Sequence, residues 1–380
     1  MQKPISTNRT ILTTEYVSPS SMEKLPYLCH YNIMLKKKLR IAELAPLWIP
    51  IPPRTYGGIE LMLSELTEEL VKRGYDITLF ASGDSKTSAR IIPMIEKSIW
   101  LDHELKNPHA PVMRMLKKVF DRFHEFDIIH NHFNFFMFPL SVHLDCPQFL
   151  STEHRPIDKQ FAEAMKTYDK IKYIAISQDH KKSMEEFGVP VLDVVYNGID
   201  TTRYEFNNSP NDYLLYLSRL NQEKGVLTAI EVAKAAGQKL IIAGNSAGNG
   251  EWSFFLHEIQ PRLNDEHISF RGQVNFQEKI ELLKNAKALL FPIDRREPFG
   301  LSMIEAMACG TPVIGFRKGS VPEVIEHGKT GFVVDTNEEM IKIIERIPTV
   351  DRKACRRRVE EKFGLKQMVD KYEEVYKKIV

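Results

Sequence analysis

The chain has 380 residues, 43% hydrophobic and 27% charged, with 52 basic against 50 acidic side chains and a formal net charge of +2. That length allows two or three ordinary domains, and the charge balance excludes a nucleic-acid binder that works by bulk electrostatics. No apolar run approaches the roughly 20 residues of a membrane helix, no apolar core follows the first charges as in a signal peptide, and the four scattered cysteines read as reduced packing residues of a cytoplasmic protein.

Residues 1–36 are polar, with frequent Pro, Ser and Thr up to Pro26, and read as a poorly ordered extension. From Leu39 the pattern is strand, loop, helix, repeated. "LRIAELA" reads as a buried strand. "GGIELMLSELTEELVKRG" puts Ile59, Met62, Leu63, Leu66 and Leu70 on one helical face, closed by Gly74. Short apolar strands follow at "DITLFA", "DIIHNHF", "QFLSTEH", "YIAIS" and "LDVVYNGI". The stretch Val112 to Phe123 mixes apolar residues with Arg114, Lys117, Lys118 and Arg122; a packed helix with a wet basic face is preferred there over peripheral membrane contact. "NNSPND" marks a linker. Beyond it come "YLLYLSRL", a helix over 226–236, "KLIIAG", "ISFRGQV", "ALLFPI", "TPVIGF" and "GFVV". Strands alternating with helices predict two parallel α/β sheets. The expected division is the extension over 1–36, a first domain over 37–205, a second over 206–355, and a helical segment over 356–380 that crosses back to the first.

Ligands of open parallel sheets lie beyond the carboxyl ends of the strands. "DRREPFG" follows the strand "ALLFPI" and precedes a helix starting near Gly300 or Leu301. Glu305 falls one turn inside that apolar helix, and no Lys or Arg lies between residues 297 and 316. A buried carboxylate needs donors, and a ribose diol supplies two. The helix start suits a phosphate, Gly300 lets a ligand approach the backbone, and Glu297 reaches whatever sits there. The composite ligand is a nucleotide-sugar. On spacing alone an alternative stands beside it: Glu297 as a surface residue and Glu305 paired with a distant arginine.

In "YLSRLNQEKGV", Arg219 and Lys224 follow a strand. There they would stabilise negative charge growing on a departing diphosphate, or else decorate a solvated loop. Gly57 and Gly58 open a helix, either as a close-approach loop for an anion or as a turn. His130, His132 and His154 sit at strand ends; the His-x-His spacing of the first two could suggest a metal, but no carboxylate or cysteine completes a site near them. No Asp-x-Asp pair occurs, so no metal is expected. Ser320 and Glu323 stand at capping-box spacing.

"EPFGLSMIEAMACGTPVIGFRKGSVPEVIEHGKTGFVV" resembles the signature of retaining family 4 glycosyltransferases of the GT-B fold, and the resemblance extends over about residues 38–380. It implies two facing Rossmann-like α/β/α domains with a cleft between them, the donor mainly in the second and the acceptor mainly in the first. The implied activity is a cytoplasmic, cofactor-free, metal-independent hexosyl transfer with retention of configuration. The donor would be a nucleotide-diphosphate sugar, UDP-glucose by the family's habit, and the acceptor a sugar, lipid or small molecule. By resemblance Glu297 and the backbone of Phe299, Gly300 and Leu301 meet the donor sugar, with Ser302 beside them. Glu305 holds the ribose and Arg219 and Lys224 the diphosphate, with Ser218 where the family has glycine. Gly57 and Gly58 approach the phosphates, the backbone from Gly272 to Val274 meets the base, and His154 bonds the sugar. His154, Arg219, Lys224 and Glu297 form the implied catalytic set; Tyr56 and His130 are candidates for the acceptor side, with His130 either touching the acceptor or supporting the site. The competing readings are another GT-B enzyme, a phosphorylase or nucleotide-sugar epimerase, and a catalytically silent nucleotide-sugar sensor.

Overall fold

The computed structural model describes residues 38–380 apart from 56, 143–146, 247–248 and 265. The extension expected over residues 1–36 lies outside the described residues. Among those described, seven strands form the first sheet: β1 Arg40–Leu44, β2 Asp76–Ala81, β3 Arg90–Pro93, β4 Ile128–Asn131, β5 Gln148–Thr152, β6 Lys172–Ala175 and β7 Val191–Val194. Six form the second: β8 Leu214–Leu217, β9 Leu240–Ala243, β10 Ile268–Phe270, β11 Ala288–Phe291, β12 Val313–Phe316 and β13 Gly331–Val334. Both sheets are parallel throughout. Their orders are β3-β2-β1-β4-β5-β6-β7 and β10-β9-β8-β11-β12-β13. Every strand expected from the sequence is present, and β3 is an addition to them.

The apolar runs form strands because helices cover both faces, which removes the alternation a half-exposed strand would show. In the helix Gly58–Lys72, Met62, Leu63, Leu66 and Leu70 are buried as their spacing predicts. They join Ile41, Ile128 and Leu150 of the first sheet in one cluster, with Val369, Tyr372 and Tyr376 of the helix Leu365–Ile379. The other face of that sheet packs a second cluster around Phe80, Phe133 and Phe138. A third surrounds the second sheet.

Each strand order reverses once, between β1 and β4 and between β8 and β11. These switch points leave crevices where neighbouring loops diverge, and the expected site residues cluster on the loops around them. The chain passes between the two sheets twice. The passages lie side by side: Ile199 donates to the Phe363 carbonyl at 3.0 Å and accepts from Leu365 N–H at 2.8 Å. Gly198 permits this approach, since a Cβ there would lie 2.5 Å from the Gly364 carbonyl oxygen.

Candidate functional site

The loop carrying Glu297 is held from behind. Ser320 N–H donates to the Glu297 carbonyl at 3.0 Å, and Ser320 Oγ donates to the Phe299 carbonyl at 2.6 Å. This corrects the capping-box expectation for Ser320 and Glu323. Ser320 makes no side-chain cap. The Glu323 carboxylate accepts from the backbone N–H groups of Gln178 and Asp179 and from the Tyr196 hydroxyl, at 2.8, 2.7 and 2.7 Å. Helical spacing alone cannot show that a stronger set of donors waits on the other sheet's side.

Gly300 takes φ 84°, and a Cβ there would lie 2.7 Å from the Phe291 ring. The chain therefore turns into the helix Leu301–Ala308 with no side-chain cap, its first N–H groups on a cleft of about 520 Å³. Gly58 faces Leu301 across it. A Cβ on Gly58 would lie 3.0 Å from the Leu301 methyl, so the start of the helix Gly58–Lys72 lies opposite.

Three cations converge here. Lys224 Nζ bridges both oxygens of Glu297 at 2.9 and 2.8 Å, and Arg295 Nε stands 3.6 Å from the same carboxylate. Arg219 is paired with Glu251 and Arg295 with Glu223. The Nε groups of Arg219 and Arg295 are buried with no hydrogen-bond partner. Burial pulls the Lys224 ammonium below the ordinary lysine value, opposed by Glu297 and reinforced by the two arginines. The two charges counted from the sequence thus come with carboxylate partners, and Arg295 adds a third that the sequence does not single out.

Glu305 is 6% exposed. Its Oε1 accepts from the Tyr204 hydroxyl at 3.0 Å and from Lys279 Nζ. Both bonds fall on Oε1, and the residue lines the cleft. The alternative of a distant cationic partner is therefore realised, by lysine, on one side of the carboxylate only.

His154 lines the cleft, with Nε2 3.0 Å from His132 Nδ1. Burial, with His180 nearby, lowers its imidazole far below the ordinary histidine value, so it stands neutral at pH 7. His132 Nε2 is buried with no partner. An orphaned acceptor is less costly than an orphaned donor, so we assign the hydrogen to His132 Nδ1. His154 then carries its own on Nδ1.

Of the two expectations for His130, the structure corrects the acceptor-side one and is consistent with the supporting one. His130 is fully buried, with Nδ1 2.8 Å from the Tyr376 hydroxyl and Nε2 2.8 Å from Thr152 Oγ1. Strand period puts it on the same face as His132 but deeper, and the helix Leu365–Ile379 seals it off. It supports the site from within and does not reach an acceptor. Tyr56 lies outside the described residues. Gly57, Gly58, Phe299, Gly300, Leu301 and Ser302 line the cleft as expected. So do Gln273 and Val274, whereas Gly272 sits behind them, with φ 71° and its carbonyl taken by Gly244 N–H at 2.9 Å. Arg295, Lys279, Asn197 and Asn245 also line it, beyond the set expected from the sequence; Asn197 Oδ1 and Asn245 Oδ1 are buried without partners. Only the position of Asn197 and Asn245 just after strands points to them.

Among the described residues, no helix is long and apolar enough to cross a membrane. The helix His109–Arg122 buries Val112, Met115 and Val119 and leaves Arg114, Lys117 and Lys118 exposed, while Arg122 is half-buried and paired with Glu125.

Known proteins resemble the chain over most of its length. Residues 56–203 match Glycosyltransferase Family 4, and residues 200–362 match Glycosyl transferases group 1. The chain is 25% identical over 330 residues to an uncharacterized glycosyltransferase of Methanocaldococcus jannaschii, covering 74% of this chain and 82% of the relative. It is 25% identical over 359 residues to O-antigen chain mannosyltransferase C of Escherichia coli, covering 85% and 95%. Sucrose-phosphate synthase from Thermosynechococcus elongatus shares the fold at a TM-score of 0.76 and 19% identity, over 90% of this chain and 99% of that one. HepE from Anabaena, solved in complex with UDP-glucose, does so at 0.71 and 18%, over 90% and 100%.

Proposed function

Because the chain belongs to the group 1, family 4 glycosyltransferases, a retaining hexosyltransferase family with the GT-B fold, we propose that it transfers a hexosyl unit from a UDP-glucose-like donor to a hydroxyl acceptor. The enzyme uses a nucleotide sugar. The identity of the donor rests on the likeness to a protein solved with UDP-glucose. The observation that carries the reading is the convergence of Arg219, Lys224 and Arg295 at an uncapped helix start, with two buried guanidinium N–H groups unpartnered. Such an arrangement awaits an anion.

In this reading the diphosphate draws Lys224 from Glu297 and meets the Arg219 and Arg295 donors and the amides of Leu301 and Ser302. Glu305 Oε2 accepts from the ribose hydroxyls. The released Glu297 carboxylate and the His154 Nδ1–H bind hydroxyls of the sugar. The acceptor oxygen bonds to the anomeric carbon on the face from which the phosphate oxygen departs, and that oxygen takes the acceptor's proton. The cations stabilise the charge of the leaving group more in the transition state than before it. No metal is required, since the leaving charge meets protein cations and the dipole of the helix.

A thermal-shift panel of UDP-, GDP- and ADP-sugars tests the reading. A ligand at about 100 times its Kd stabilises the fold by roughly 2.7 kcal/mol. A panel in which no nucleotide sugar moves the melting temperature would remove the donor site.

A further inference from the structure

Beside the donor cleft lies a second cavity of about 550 Å³, lined by Trp48, Ile49, Arg54, Trp100, Leu101 and, on the far wall, Gln273. The size is that of a small-molecule site. The cavity is continuous with the cleft, because every residue that lines it except Pro50, Arg54 and Leu101 lines the cleft as well.

Its walls are built. Ile99 N–H and Trp100 N–H donate to the carbonyls of Leu47 and Trp48 at 2.9 and 3.1 Å, which ties the two tryptophan segments side by side. The Trp48 ring meets Phe133 edge-on at 6.2 Å. Ser98 is anchored through its N–H and Oγ to Asp84, both at 3.0 Å. Below Arg54, Ile51 N–H donates to Ser85 Oγ at 3.0 Å and the Ile51 carbonyl accepts from Lys86 N–H at 2.6 Å. Gln273, which also lines the donor cleft, reaches across to Thr55.

Two features point to the occupant. Trp100 stays 44% exposed and Leu101 43%, large apolar surfaces at a cavity mouth. The C–H face of a pyranose ring covers such an indole while its hydroxyls remain wetted. Arg54, among the described residues, has no carboxylate partner, unlike Arg219 and Arg295. Asn245 Oδ1, buried and unpartnered on the shared wall, is an acceptor for a hydroxyl.

We propose that this alcove is the acceptor subsite and that it takes a small saccharide bearing an anionic group, a phosphate or a carboxylate. The inference rests on the glycosyltransferase reading above and specifies its acceptor. The sugar ring lies on Trp100, the anion meets Arg54, and a hydroxyl on the opposite side of the ring points through the shared wall toward the donor.

The test uses the full chain saturated with UDP, so that the donor phosphate site is filled. Tryptophan fluorescence is titrated with glucose 6-phosphate, glucuronate and methyl glucoside, in the parent and in Arg54→Gln and Trp100→Ala. Both residues are exposed, so the fold survives, and calorimetry with UDP checks the donor site separately. At least one anionic sugar should bind about tenfold or more tightly than methyl glucoside, the worth of one charge-assisted contact. Which one wins distinguishes phosphate from carboxylate. Arg54→Gln should erase the preference while UDP binds as before, and Trp100→Ala should weaken every sugar. Equal binding of the neutral sugar, no binding by any of the three, or anionic binding indifferent to both substitutions overturns the proposal. So does an Arg54→Gln variant that loses affinity for UDP, since the alcove would then serve the donor. If UDP fails to bind the parent at all, the donor reading falls, and the sugar titration still judges the alcove.

Discussion

Replacing Glu305 by glutamine separates the two duties of that side chain. In the free protein its Oε1 accepts from Tyr204 and Lys279, and in the reading proposed above Oε2 is the oxygen offered to the ribose. Glutamine keeps the shape and a carbonyl acceptor for Oε1's partners, but places an amide where the ribose expects a carboxylate oxygen. A hydrogen bond to a charged group contributes about 1.5–3 kcal/mol, so loss of most of one raises Kd for UDP by about 10- to 100-fold. Fold stability should fall as well, but by less than in the alanine variant, because the amide still offers Lys279 and Tyr204 an acceptor while removing the charge opposite Lys279. Alanine behaves differently. It removes the acceptor along with the counter-charge of Lys279, 15% exposed, and orphans the Tyr204 hydroxyl, a loss of about 3–5 kcal/mol. The assay is calorimetry with UDP, paired with urea unfolding of the same variants. If Glu305→Gln binds UDP, GDP and ADP as the parent does, Glu305 is only the partner of Lys279 and its assignment to the ribose is refuted.

Lys224→Ala should lower kcat by about 10²- to 10³-fold, the scale of losing one charge-stabilising donor, and unchanged turnover with saturating donor would remove Lys224 from the leaving-group site. Turnover should persist in excess EDTA, because protein cations meet the diphosphate; activity lost with chelator and restored by magnesium or manganese would contradict that charge account. Stability should depend on pH through Glu43, whose carboxyl burial raises to about 8. The folded chain holds that proton where the unfolded chain has released it, so the contribution is full below the ordinary glutamate value and falls as pH rises toward 8. Glu43→Gln, which mimics the protonated form, should gain on the parent by up to about 1.4 kcal/mol per pH unit across that window. Parallel unfolding profiles for parent and variant from about pH 5 to 8 would rule this out.

The strands were legible because a parallel sheet covered on both sides writes itself as short unbroken apolar runs. The loops of the site were legible because glycine and charge appear together just after those runs. β3 escaped notice because "RIIP" is too short and too close to charged residues to stand out. Buried acids escaped for another reason. Glu60 and Glu65 fall off the apolar stripe of the helix Gly58–Lys72, and period alone assigns them to solvent. In the structure Glu65 is covered by residues 200–203: it accepts from Asp200 N–H at 2.9 Å and from Arg203 at 2.7 Å. Local periodicity reports one packing partner, and this helix has two. His130 failed the same way. Its position at a strand end suggested the cleft, but Tyr376 arrives from 246 residues away to claim it.

The returning helix Leu365–Ile379 also governs how the chain can be made. It supplies Val369, Tyr372 and Tyr376 to the core of the first sheet, and a ribosome reaches it only after the entire second sheet has emerged. At about 5–20 residues per second, the first sheet waits on the order of 10 s with one apolar face and the His130 ring unsealed. Folding during synthesis therefore cannot finish domain by domain in the order of translation. A nascent chain stalled before residue 365 should engage holding chaperones through that face, and adding the helix as a separate peptide should release them.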